Sequence, residues 1–235
     1  VVVISIDTSQ RLGGVALAHA GRLLGSERFG AESSHLVELG RAIERLLAAH
    51  DLSVSNVDRL ALVSGPGSFT GLRIGMAFVK GLHAGLRADV VTIGSLVLLA
   101  LPHLEEHERV CAMIDAHKSE VYAAVFGRRT GETAPAARAE VVVPPCAMAP
   151  RRFLDLLPGR PSAFVGSGVA RYHDVVEPFA AGAVVKPDES PSPAHLALIA
   201  HRLEPLDEAR LRSLEPTYIR SSEAELKRLR PIDPT

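Results

Sequence analysis

The chain has 235 residues, 47% of them hydrophobic and 23% charged, with a formal net charge of -1. That is enough apolar material for one large domain or two small ones. Balanced charge, no Trp and only three Tyr argue against autonomous nucleic-acid binding, which wants a basic field and rings that stack on bases.

Read from the start, Val1 to Ile6 is a β-branched run that ends in the turn and capping residues Asp7, Thr8 and Ser9. Two further strands, Val15 to His19 and Leu23 to Phe29, flank the tight turn Ala20-Gly21-Arg22. A helix from Ser34 to Ala48 follows, with Leu36, Leu39 and Ile43 at helical spacing. Leu60 to Val63 is a short strand leading into Gly65-Pro66-Gly67-Ser68-Phe69-Thr70-Gly71-Leu72-Arg73-Ile74-Gly75, and a helix runs on from Leu72 to Leu86. Val90 to Ile93 closes this cycle of three strands, helix, strand, helix, strand.

A second cycle opens with strands Val110 to Ile114 and Val121 to Phe126. Val141 to Val143, Phe164-Val165 and Val184-Val185 supply its third, fourth and fifth strands. Arg128 to Ala139 is polar and rich in Gly, Pro and Ala, as a hairpin tip should be, and 191–203 reads as a helix. The repeated order predicts a duplicated α/β architecture. The expected lobes are 1–103 and 104–235, with helix 191–203 and the tail packing back on the first.

The glycine-rich segment fails both standard phosphate grammars. It lacks the lysine of a P-loop, and Thr70 stands where a dinucleotide fingerprint needs its third glycine. What survives is a turn with exposed amides, Ser68 or Thr70 as cap, and a helix N-terminus that favours an anion, set against a plain structural turn whose glycines serve close packing. The helix behind it is apolar nearly all round, which predicts burial on more than one side: either neighbouring helices of the chain cover it, or one side packs its own sheet and another meets a protein partner. Asp7 and Asp115 each end the first strand of a cycle, where paired acids suit a metal-nucleotide between lobes; either also serves as a plain turn residue. His103 and His107 have i,i+4 spacing, but Leu104 stands where a zincin needs Glu. No metal site is assigned to them. Cys111 and Cys146 are too few for a disulfide framework or thiolate zinc site. With no leader pattern and no run of roughly 18 apolar residues, a cytoplasmic protein without a membrane span is expected.

Four segments carry a family resemblance: Val3 to Ser9, the glycine-rich block, Ile114 to Tyr122, and Glu215 to Arg220. In this order they resemble the bacterial TsaB (YeaZ) family of tRNA threonylcarbamoyladenosine biosynthesis proteins. The resemblance implies two related lobes of the actin and sugar-kinase-like ATPase (ASKHA) fold. It implies a non-catalytic subunit that binds and organises TsaD, the paralogous transferase that modifies the adenosine beside the anticodon. It also implies a TsaE-like ATPase in the complex and tRNA contact mainly through the complex. The apolar helix face, left without its partner, is expected to pair two copies of the chain as a homodimer.

Under this resemblance the partner face lies on the two N-lobe helices, through Leu36, Leu39, Ile43, Leu72, Arg73, Met76, Val79, Lys80 and His83. No cofactor is expected to bind tightly. ATP or ADP at an interface with the partner would meet Asp7, Thr8, Ser9, Gly65, Gly67 and Ser68. The metal-binding histidines of TsaD fall at Ser95 and Leu99, which cannot replace imidazole. His117 stands where many relatives carry Arg, and Ser119 where many carry Gly, which weakens the second phosphate-contact loop. The competing expectation is a nucleotide-dependent small-molecule kinase or ATPase acting in the interlobe cleft.

Overall fold

The computed structural model describes residues 1–30, 35–132 and 134–219, with backbone only at 35 and 36. The first lobe runs β1 (Val2–Asp7), β2 (Gly13–His19), β3 (Arg22–Phe29), α1 (His35–Ala48), β4 (Arg59–Val63), α2 (Phe69–Leu86) and β5 (Asp89–Ile93). After α3 (Ser95–Ala100) the second lobe runs β6 (Arg109–Asp115), β7 (Val121–Arg128), β8 (Ala139–Met148), α4 (Pro150–Asp155) and β9 (Ala163–Val165). It continues with α5 (Ser167–Arg171), α6 (His173–Val176) and β10 (Val184–Lys186), and α7 (Pro193–Ile199) and α8 (Glu208–Arg212) complete the chain order.

The two sheets have one plan. The first is ordered β3-β2-β1-β4-β5 and the second β8-β7-β6-β9-β10. In each, the first three strands are antiparallel and the last two run parallel to the first. Parallel strands need a crossover, which α2 supplies between β4 and β5. This duplication is the two-lobed α/β fold that the element order predicted. The polar segment after Arg128 leads through a 3₁₀ turn at Ala136–Arg138 into β8, which is longer than the sequence suggested. Pro144 and Pro145 lie in β8, an edge strand, at a register shift where the pairing with β7 passes from Val143 to Cys146, so their missing N–H groups break no ladder.

Helix α3 holds the lobes together. Leu98 and Leu101 pack into the first-lobe core, while Leu96, Leu99 and Ala100 pack into the second. All five are buried, and Val97 is the one partly exposed residue of this short apolar helix. Helix α7 comes from the second half of the chain but lies on the first sheet. Leu196, Ala197 and Ala200 join the core with Val3, Ala16 and Ala61. At the α7 start Ser5 Oγ donates to the Pro193 carbonyl at 2.6 Å. Beyond its end Arg59 donates to the carbonyls of Ala200 and Leu203 at 3.0 and 3.3 Å, and pairs with Asp89 at 2.8 Å.

The chain then straps back over α2. Leu206 N–H donates to the Val90 carbonyl at 2.7 Å, and Leu211 is buried in the first-lobe core. Among the described residues no helix is long and apolar enough to cross a membrane.

Because α3 belongs to both cores, the lobes are expected to unfold as one unit. Leu98→Ala and Leu96→Ala should each cost about 2–5 kcal/mol and each shift one shared urea transition. Two separated transitions in either variant would show that the lobes fold independently.

Candidate functional site

The ends of β1, β4 and β5 meet at one edge of the first sheet. Asp7, Thr8 and Ser9 leave β1 there, the glycine-rich loop leaves β4, and Gly94 leads from β5 into α3. Asp7, Thr8 and Ser9 are all buried. Asp7 Oδ1 accepts the Ser9 N–H at 2.8 Å, which fixes a tight turn. The second lobe repeats the device: Asp115 Oδ1 accepts the His117 N–H at 2.9 Å. His117, Lys118 and Ser119 then all have positive φ, at 59°, 52° and 62°. Glycine adopts that region freely and serine does not, so Ser119 bears a backbone cost at this turn.

Two amides of the loop and helix start, those of Ser68 and Gly71, are used within the chain. Ser68 N–H donates to the Ser9 carbonyl at 2.7 Å. Ser68 Oγ caps α2 by accepting the Gly71 N–H at 3.2 Å, which settles the choice of cap between Ser68 and Thr70. A Cβ on Gly67 would overlap the Ser9 carbonyl, one on Gly71 the Thr8 carbonyl, and one on Gly75 the Thr8 hydroxyl. These glycines let the α2 backbone lie directly on the end of β1. Gly65, at φ 108°, accepts the Ser95 N–H at 2.7 Å through its carbonyl, and Ser64 accepts the Thr217 N–H at 2.9 Å. Asp7, Thr8, Ser9, Gly65, Gly67 and Ser68 are therefore brought together, but as a packed junction. The Ser68 amide and the capping hydroxyl already have protein partners, so neither is free to meet a phosphate.

The two positions that the resemblance sets against a transferase's metal ligands, Ser95 and Leu99, are both buried. Leu99 is buried, and its side chain lies against Gly166, where an added Cβ would meet it at 2.7 Å. Ser95 is fully buried. Neither supplies an imidazole. His103 sits in a 3₁₀ turn and accepts the His107 N–H through its carbonyl. Among the described residues no three His, Cys, Asp or Glu side chains gather as a metal site.

The expected partner residues need correction. Leu39, Ile43, Met76 and Val79 are buried in the first-lobe core beneath α1 and α2, and Leu72 is buried against the glycine loop, where a Cβ on Gly65 would meet it at 3.0 Å. The spacing identified a stripe, but that stripe faces the chain's own sheet. The side chain of Leu36 lies outside the described residues. Lys80 Nζ donates to the carbonyls of Arg212 and Leu214 at 3.0 and 2.9 Å, and His83 Nε2 lies 3.3 Å from Glu208 Oε1. Both serve the returning strap. Arg73 is exposed: it sits 4.1 Å over the Phe69 ring, and its Nε donates to Tyr218 Oη at 3.0 Å.

Sequence reasoning missed Phe69 and Tyr218, which stack at 5.0 Å and are 39% and 38% exposed. Both lay inside the quoted motifs. Two rings left outside the apolar periodicity were the available signal. Phe69, Thr70, Arg73, Ile74 and Ala77 line a surface groove of about 390 Å³ on the outer side of α2.

Burial raises the Asp7 pKa above the ordinary carboxylate value, against the smaller pull of the Ser9 hydrogen bonds and Arg28. The folded chain thus keeps this proton where the unfolded chain has lost it, and stability falls as pH rises through the raised value. Asp7→Asn keeps an acceptor for Ser9. It should gain on the order of 1–3 kcal/mol at pH 7 and nothing below about pH 4, read from urea midpoints across pH. Gly75→Ala should cost about 1–3 kcal/mol through overpacking. In a Thr8→Ala background most of that penalty should vanish, as a double-mutant cycle would measure.

The sequence pattern of the family described as "TsaD: tRNA N6-adenosine threonylcarbamoyltransferase" matches residues 30–227. A Bacillus subtilis protein named tRNA threonylcarbamoyladenosine biosynthesis protein TsaB is 26% identical over 230 residues, covering 96% of each chain. Its namesake from Haemophilus influenzae is 36% identical over 122 residues, 51% of each. The solved structure of YeaZ from Pseudomonas aeruginosa has a TM-score of 0.74 at 28% identity, covering 92% of this chain and 99% of that one. Sequence and three-dimensional likeness therefore agree along nearly the whole length, and the chain belongs to the tRNA N6-adenosine threonylcarbamoyltransferase (TsaD) family, on its TsaB/YeaZ branch.

Proposed function

We propose that this chain is a non-catalytic subunit that binds and organises a TsaD-like transferase in the threonylcarbamoylation of tRNA. The observation that carries this reading is the filled junction. The chain keeps the family's two-lobed frame, but Leu99, at the register the resemblance sets for a metal ligand, is buried in the core, and the Ser68 amide of the glycine loop is already paired. Transfer chemistry then has to come from another chain.

The outer face of α1 and α2 is the surface we assign to that partner. Val37 is 48% exposed on α1. On α2 Phe69, Arg73 and Ala77 are exposed beside the half-buried Ile74 and Phe78. Such a patch of rings and aliphatic groups with one arginine suits the desolvated centre of an interface. The transferase's own family pattern spans both helices, so a partner from that family carries corresponding helices. Like faces can then meet in a near-twofold arrangement. The same patch would serve a homodimer when the partner is absent. In this reading a TsaE-like ATPase joins the assembled pair, and tRNA is met mainly through the complex. In this reading ATP or ADP binds only at the interface with the partner.

Ala77→Glu is the sharpest test, because Ala77 is exposed and its replacement leaves the core intact. The variant should keep the wild-type thermal midpoint, fail to co-elute with the cognate TsaD-like transferase, and form little threonylcarbamoyl-tRNA when the system is reconstituted. Retained pairing would move the interface elsewhere. The isolated chain should not turn over ATP, and Asp7→Asn should leave reconstituted activity in place. ATP turnover by the isolated chain that disappears in Asp7→Asn would instead favour a kinase or ATPase.

A further inference from the structure

A second cavity lies far from the glycine loop, at the opposite end of the second sheet from Asp115. It has a volume of about 400 Å³ and opens where the lobes meet. One wall comes from the segment after α3 and from α7; the other comes from the end of β7 and the connection into β8. Leu101 and Leu104, both buried, form an apolar floor with Ile199. Arginines dominate the polar lining. Arg128, Arg129, Arg138 and Arg202 outnumber the two glutamates, Glu105 and Glu132.

The way two of these arginines are held is informative. Arg128 Nη1 donates to the Glu105 main-chain carbonyl at 3.0 Å, and Arg138 Nε donates to the Glu132 carbonyl at 3.0 Å. Among the described residues neither has a carboxylate within ion-pair distance, whereas Arg129 is paired with Glu140 at 3.8 Å. A carbonyl fixes a guanidinium in place while leaving its charge and most of its five donors for something else. Oriented, uncompensated arginines beside an apolar floor form a site with two chemical demands. One is an anionic oxygen group; the other is an apolar body. The volume falls within the roughly 300–1,000 Å³ of small-molecule sites. His195 also lines the cavity, and burial lowers its pKa, so near neutral pH it adds a polar ring without adding charge.

We propose that this interlobe cavity binds a small organic anion, a phosphate or carboxylate joined to an apolar body, with Arg128 and Arg138 taking the anion and Leu101, Leu104 and Ile199 taking the body. The site is separate from the α2 face and does not rest on the partner reading. Because its walls come from both halves of the chain, a bound anion bridges them.

Calorimetric titration of the full chain with phenyl phosphate, benzoate and inorganic phosphate tests this. Phenyl phosphate or benzoate should bind, and the tighter of the two identifies the ester or the carboxylate as the source of the anion. Inorganic phosphate should bind at least about tenfold more weakly than the better aromatic probe, a difference of about 1.4 kcal/mol. Arg128→Gln with Arg138→Gln should weaken binding at least tenfold. Thr130→Glu, at an exposed lining position that holds neither arginine, should weaken it too with an unchanged thermal midpoint. That second variant guards against a simple folding defect. Three results overturn the proposal: no aromatic probe binding at millimolar concentration, equal affinity for inorganic phosphate, or wild-type affinity in the folded arginine variant.

Discussion

The contact on which the first lobe depends is backbone against backbone, where α2 crosses the end of β1. Gly67 and Gly71 sit on the carbonyls of Ser9 and Thr8 with no room for a Cβ, and the Ser68 amide donates into the same place. So close an approach fixes the rotation of α2 about its axis. Once Gly71 and Gly75 face β1, Leu72, Met76 and Val79 must turn inward. Phe69, Arg73 and Ala77 are then left outside. The division of this helix into a core side and a partner side follows from glycine positions, since no other residue type permits the approach.

The same junction explains how a family frame can outlast its chemistry. A phosphate-binding turn works because its amides point at nothing until the ligand arrives. Here the Ser68 amide has a protein acceptor, Ser68 Oγ caps the helix, and the strap reaches Ser64 through Thr217. Part of what the sequence pattern left open is thus taken up by the fold. Leu99 acts in parallel, since a branched aliphatic chain at a register expected for a metal ligand becomes part of the second-lobe core.

Between the lobes, hydrophobic burial is shared. α3 places neighbouring leucines into different cores, and α7 crosses from the second half of the chain to cover the first sheet. The strap from Leu206 to Tyr218 then closes over α2 by carbonyl acceptors for Lys80, a buried Leu211 and the Phe69–Tyr218 stack. These connections make the lobes interdependent and set the walls of the arginine-lined cavity.

Much was legible in the sequence because it is encoded locally. β-branched runs gave the strands, and the repeated order of elements gave two lobes of one plan. The failed spacings of the glycine block argued against a P-loop or dinucleotide turn, and four short segments pointed to the family. Helical spacing also found the apolar stripes of α1 and α2, yet it assigned them to the wrong neighbour. Leu39, Ile43, Leu72, Met76 and Val79 have the same period whether they meet their own lobe or another chain. The strap, the Phe69–Arg73–Tyr218 cluster and the Arg128–Arg138 cavity join residues far apart along the chain or held by main-chain carbonyls, and no local pattern records such meetings. Periodicity determined which residues seek burial, and only tertiary packing decided against what, because burial depends on which surface arrives first and fits.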